Sequence, residues 1–121
     1  MKKEIVKILD YSEYPGPRYI TQGLDSAEQF YYDVLKKPFE NAIKNNFILV
    51  VDLDNTAGYA PSFIDEIFGN LVYDFDFKDI PKHLEIKSND EPDWKDLVKK
   101  NILKKWKQKK DDNQPRKPIG F

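Results

Sequence analysis

The clearest pattern of apolar and polar positions lies in the middle of the chain. Phe47-Ile48-Leu49-Val50-Val51 is an unbroken apolar run, closed by Asp52-Leu53-Asp54-Asn55-Thr56. A strand with one solvated face alternates, so an unbroken run predicts a strand buried on both faces. A short loop, Ala57-Gly58-Tyr59-Ala60-Pro61, leads to Ser62, after which Phe63, Ile64, Ile67, Phe68 and Leu71 recur at helical spacing. A strand, a turn and a helix N-terminus in succession is where α/β folds place chemistry or recognition. Gly69 lies inside this helix, which should continue towards Val72, and marks a close approach to the sheet.

The flanking segments follow the same logic. Ile5, Val6, Ile8 and Leu9 predict a first strand, ended by Asp10 to Pro17, with Tyr14-Pro15-Gly16-Pro17 as a turn. Arg18-Tyr19-Ile20-Thr21 is a short β-prone run stopped by Gly23, and the two runs are expected to pair as a hairpin at the sheet edge. Ser26 caps a long helix, with Phe30, Val34, Leu35, Phe39, Ala42 and Ile43 on one face and Asn45-Asn46 as its stop. Pro38 interrupts that helix and should kink it. Phe75 to Pro81 is a connector, and Leu84-Glu85-Ile86-Lys87 reads as a strand. After the turn at Asp90 to Asp93, Trp94, Leu97, Val98, Ile102 and Trp106 form the apolar stripe of a third helix whose other face is mostly lysine.

The order is therefore β-β-α-β-α-β-α. It predicts a small α/β sandwich with a mixed sheet of about four strands and three helices mainly on one face. The single domain would span residues 1–110, followed by a polar, disordered tail over 111–121 containing Pro115 and Pro118.

Composition narrows the function classes. At 121 residues the chain can bury roughly two-thirds of its unfolded surface without staples. A net charge of −1 gives no global attraction to nucleic acid, although basic residues dominate from Lys95 to Lys117. There is no cysteine, which removes disulfides, thiolate metal sites and a Cys nucleophile. Glu4, Lys7 and Asp10 interrupt any signal-peptide apolar segment, and no run approaches the ~20 apolar residues of a membrane span. The expected location is cytoplasmic, with no membrane contact.

One motif suggests catalysis. Asp52-Leu53-Asp54-Asn55-Thr56 after an apolar strand resembles the opening motif of the haloacid-dehalogenase-like phosphotransferases. That resemblance would make Asp52 a nucleophile towards phosphorus and Asp54 an acid/base, with Mg²⁺ neutralising the phosphate. The remaining machinery is missing: no later strand ends in paired carboxylates, and Asp111-Asp112 sits in a lysine-rich tail. Asp52 and Asp54 are read instead as closing a buried strand and bonding the turn, with no metal or cofactor.

Two blocks resemble a different family, the STAS-like domains of unknown function related to anti-sigma-factor antagonists. The first runs from Gly16-Pro17-Arg18 to Gly23, then Asp25-Ser26-Ala27-Glu28-Gln29-Phe30 and Leu35 to Pro38. The second is Val51-Asp52-Leu53 followed by Pro61-Ser62-Phe63-Ile64-Asp65-Glu66-Ile67-Phe68-Gly69. Arg18, Ser26, Asp52 and Gly69 carry the family motif. The resemblance implies a non-enzymatic signalling module that binds a protein partner, with Ser62 as phospho-acceptor for a histidine-kinase-like ATPase. The implied partner surface is Gly58, Tyr59, Pro61, Ser62, Phe63, Asp65 and Glu66. The chain departs from the antagonist pattern at Ala60, where an acidic residue is usual, and at Phe63 and Ile64, where small residues follow the serine. Asp65 and Glu66 would also repel a phosphate on Ser62.

Blander readings stand beside these. Ser62-x-x-Asp65 is a variant capping box, which would make Ser62 a helix cap. His83 is expected at the surface, and Trp94 and Trp106 as helix anchors. The Lys99 to Lys110 run is expected to be a solvated face, with nucleic-acid binding by the basic tail the less favoured reading.

Overall fold

In the computed structural model, which describes residues 1–118, strand β2 (Ile48–Asp52) lies between β1 (Lys3–Lys7) and β3 (Leu84–Lys87). Both pairings are parallel, with Lys7, Asp52 and Lys87 in register at the C-terminal end of the sheet. Parallel neighbours require crossovers, and helices provide them. Helix α1 (Ile8–Tyr11) follows β1, and α2 spans residues 27–44. Helix α3 (Pro61–Asp74) follows β2, α4 (Ile80–His83) precedes β3, and α5 spans residues 93–111.

Side chains of the sheet alternate between two unlike faces. Val6, Leu49, Val51, Leu84 and Ile86 share one core with apolar residues of all five helices. On the other face the Lys3 ammonium reaches Glu85 at 2.9 Å, so a salt bridge spans β2 from strand to strand. Between those neighbours Val50 is buried, as the apolar run predicts, while Ile5 on the edge strand is 60% exposed.

The fold differs from the expected mixed sheet of four strands with three helices: among the described residues there are three parallel strands and five helices. Arg18–Thr21 makes no strand because its donors are satisfied locally. Gln22 Oε1 accepts from the Tyr19 N–H and Glu28 Oε1 from the Ile20 N–H, both at 3.0 Å, and Ile20–Gln22 closes into a 3₁₀ turn. The expected hairpin is therefore absent. Ile8 and Leu9 belong to α1, so β1 ends at Lys7.

Ser26 caps α2 as expected, accepting from Gln29 N–H at 3.1 Å. The Pro38 irregularity takes the form of a π-helical turn at Tyr31–Leu35, one turn upstream. Proline cannot donate to the carbonyl four residues back and crowds it, and a widened turn accommodates that loss. Helix α5 carries a similar π-turn at Val98–Ile102. His83 is buried rather than at the surface, with Nδ1 2.9 Å from the Phe47 carbonyl.

Residues 112–118 run back along the domain. Arg116 pairs with Asp74, Lys117 with Glu28 at 2.8 Å, and Tyr73 donates to the Gln114 carbonyl at 2.7 Å. Residues 119–121 of the tail expected to be disordered lie outside the described residues.

Gly69 does mark a close approach, but to α5 rather than to the sheet. A Cβ there would lie 2.0 Å from Trp106 Cε2. Gly69→Ala should therefore force the indole or the helix aside and cost about 1–3 kcal/mol. A urea midpoint equal to wild type would show that α5 yields freely.

Candidate functional site

The loops that leave the C-terminal end of the three strands meet one another, and side chains of the Asp52–Asp54 motif hold them there. Asp52 Oδ1 accepts from Asp54 N–H at 2.9 Å, and its other oxygen lies 3.6 Å from the Lys87 ammonium. Asp54 Oδ1 accepts from the backbone N–H groups of Asn89 and Asp90 at 2.7 and 2.9 Å, tying the β2 loop to the β3 loop. Asn55, at a φ of 69°, donates its N–H to Asp90 at 2.8 Å. From the other side, Ala57 N–H reaches the Glu13 carbonyl at 2.8 Å.

Tyr59 closes the loop from within. Its hydroxyl donates to the Leu53 carbonyl at 2.6 Å, and burial pushes the phenol up to about 12, which keeps it a neutral donor. Gly58 sits at a φ of 115°, where a side chain would be strained. The phosphotransferase reading needs Asp52 and Asp54 free to meet a substrate and a metal. Both are engaged by the loop backbone, and among the described residues no three Asp, Glu or His groups converge as a metal site.

Helix α3 starts directly from this loop. Ala60 occupies the cap position with no side-chain cap, Pro61 is the first helical residue and Ser62 the second. The capping box expected from Ser62-x-x-Asp65 does not form, because the helix opens at Pro61 and Ser62 lies inside it rather than at its cap; Asp65 is drawn elsewhere. Arg18 Nη1 donates to Asp65 at 2.8 Å and to Glu66 at 3.0 Å. Lys105 and the Trp106 indole reach the other Asp65 oxygen at 2.7 and 3.1 Å, and Asn70 donates to Glu66 at 2.7 Å.

The two carboxylates respond differently to burial. Burial alone would raise Asp65, but hydrogen bonds from Lys105, Arg18 and Trp106 outweigh it and hold the carboxyl below its usual value. Glu66 is 3% exposed, and there burial prevails over Asn70 and Arg18, leaving it raised. Arg18 is raised in turn: burial opposes its charge, and the bonds to Asp65 and Glu66 more than compensate.

The residues expected to form a partner surface therefore separate. Gly58, Tyr59, Pro61 and Ser62 reach solvent to differing degrees, while Phe63 and Glu66 are buried and Asp65 is engaged internally. The family-motif residues have internal roles. Arg18 ties its own segment to α3, Ser26 caps α2, Asp52 folds the loop and Gly69 admits Trp106. Lys105 and Asn70 complete the cluster; Lys105 lies 40 residues from Asp65 and gave no local sign, whereas Asn70 stands at i+4 from Glu66 on α3, a helical spacing that is legible in the sequence.

Removing Arg18 leaves two poorly solvated carboxylates short of positive charge. Arg18→Ala should cost about 3–5 kcal/mol, and adding Asp65→Asn and Glu66→Gln should recover much of that loss. Equal urea midpoints for wild type and Arg18→Ala would show that the cluster is dispensable. The pH dependence has a defined sign. Asp74, like Asp65, is held low because hydrogen bonds from Arg116 and Tyr31 outweigh burial. The stability these two ionised groups contribute is present above about pH 4 and is lost as pH falls through their folded values. Glu66 acts oppositely, its contribution being lost as pH rises through its raised value. Asp74→Asn should accordingly flatten the acid limb of urea midpoint against pH, and Glu66→Gln should not.

No curated protein and no solved structure matches the chain. The family model for the STAS-like domain of unknown function (DUF4325) matches residues 26–94. That stretch is more than half of the 121 residues and contains the capped start of α2, the strand β2, the braced loop and the whole of α3. The chain belongs to the STAS-like domain family of unknown function.

Proposed function

We propose that this chain is a non-enzymatic, protein-binding signalling module whose contact surface is the loop 58–61 with the first turn of α3, and whose affinity is set by phosphorylation of Ser62. The observation that carries this reading is the state of Ser62. It is the second residue of α3, half-exposed at the C-terminal end of the central strand, and its hydroxyl is not used as a cap. A phosphate there would meet the positive end of the helix. The repulsion foreseen from Asp65 and Glu66 is offset, because Arg18, Lys105 and Asn70 already oppose those carboxylates. The loop is braced by Tyr59, Asp54 and the Glu13 carbonyl, so a partner would meet a preformed surface with little ordering cost. The enzyme that adds the phosphate would be an ATPase of the histidine-kinase-like type, acting as partner and kinase.

The test uses the full chain as bait in a lysate of its native host. Wild type and Ser62→Ala should retain the same partner, and Ser62→Asp should release it. After incubation with that partner and ATP, intact mass should show one added phosphate on wild type and none on Ser62→Ala. A phosphate mapped to another residue, or none at all, would overturn the switch.

A further inference from the structure

At the opposite edge of the sheet from β1, away from Ser62, a groove of about 350 Å³ runs between β3 and α5. Its floor is apolar, formed by Ile80, Leu84, Ile86 and Leu103, and its rim carries Lys99 and Lys104. The two lysines come to one rim through the π-turn Val98–Ile102. A π-turn bonds residue i to i+5, so side chains five apart align, as the Leu103 N–H does with the Val98 carbonyl.

Their electrostatic state differs from that of the three lysines of α5 that are neutralised by acidic partners. Lys100 pairs with Asp96, Lys105 with Asp65 and Lys107 with Asp111. Among the described residues Lys99 and Lys104 form no ion pair. Two unpaired cations thus flank an apolar floor in a chain whose net charge is −1. The groove is too closed for an added strand: Ile86, on the β3 edge that such a strand would pair with, is 1% exposed. Its volume lies at the low end of sites that hold small molecules.

We infer that this groove binds a free single-chain carboxylate, its apolar chain on the floor and its head between Lys99 and Lys104. Two charge-assisted hydrogen bonds fix the head, and burial of the chain supplies the non-directional part of the affinity. The site is independent of Ser62, so either reading can fail without the other.

The experiment is a titration of the ¹⁵N-labelled full chain with decanoate, kept below its micellar range and followed by amide shifts. Saturable shifts are expected in residues 77–86 and 99–104. Lys99→Glu with Lys104→Glu should weaken binding by about tenfold or more, as loss of charged hydrogen bonds requires. Lys37→Glu with Lys44→Glu changes the net charge equally, far from the groove, and should leave binding unchanged. Both pairs of lysines are exposed, so the variants should keep the wild-type amide spectrum. Equal weakening by the two double variants would overturn the site. So would decanol binding as tightly as decanoate, shifts scattered over the surface, or no saturable shift.

Discussion

One guanidinium holds the part of the fold that the sheet does not. Arg18 lies in the segment between β1 and α2, and its two carboxylate partners lie on α3, 47 and 48 residues further along. Through Asp65 the same contact continues to Lys105 and Trp106 on α5. A cluster partly withdrawn from water gains less than its Coulomb energy suggests, because Arg18, Asp65 and Glu66 have lost much of their hydration. What it contributes is position. Without Arg18, Glu66 has no opposing cation and Asp65 keeps Lys105 alone, so the cluster holds α3 and α5 to one arrangement around the Trp106 indole that Gly69 admits.

That constraint explains why the chain manages with three strands. A sheet this small covers one side of one core, and most of the burial comes from helices packed on that side. The other side is closed over β2 by the Lys3–Glu85 bridge rather than by a helix. Parallel sheets are normally covered on both faces, and here side-chain stems and a cross-strand ion pair replace the second layer over Val50. The bridge is exposed at both ends, so its direct energetic contribution is small; its effect is to keep two long side chains lying across the apolar middle of the sheet.

Local patterns in the sequence identified the elements whose signals are local. The run ending at Asp52 became the central strand from Ile48, Ser26 became a cap, and Val98, Ile102 and Trp106 of the expected stripe became the core face of α5, with Trp94 half-buried beside it and Leu97 exposed. Elements decided by specific side-chain or backbone partners, near or far, were misread. Arg18-Tyr19-Ile20-Thr21 has strand composition, but Gln22 and Glu28 take its donors and Arg18 turns to α3. Ser62-x-x-Asp65 has the spacing of a capping box, but the helix opens one residue earlier at Pro61, and Asp65 finds three donors from two other segments. His83 looked solitary because its partner is a backbone carbonyl, which no side-chain pattern reveals. The π-turns were invisible too, since apolar periodicity over a five-residue insertion of one extra position is too short to shift visibly.

The acidic motif after β2 shows how one short sequence serves two kinds of chemistry. A carboxylate at the C-terminal end of a parallel strand faces the backbone N–H groups of the loops gathered there, and it can accept from them or remain open for a ligand. The choice rests on the length of the neighbouring loops. Here the β3 loop is short, from Ser88 to Pro92, and it brings the Asn89 and Asp90 N–H groups within 3 Å of Asp54. Asp52 is meanwhile turned onto its own loop and towards Lys87. With both acids engaged, the loop gains rigidity, while Pro61 stays exposed and Ser62 half-exposed where the loop enters α3. Rigidity and chemistry compete for the same two side chains, and in this chain the loop has taken them.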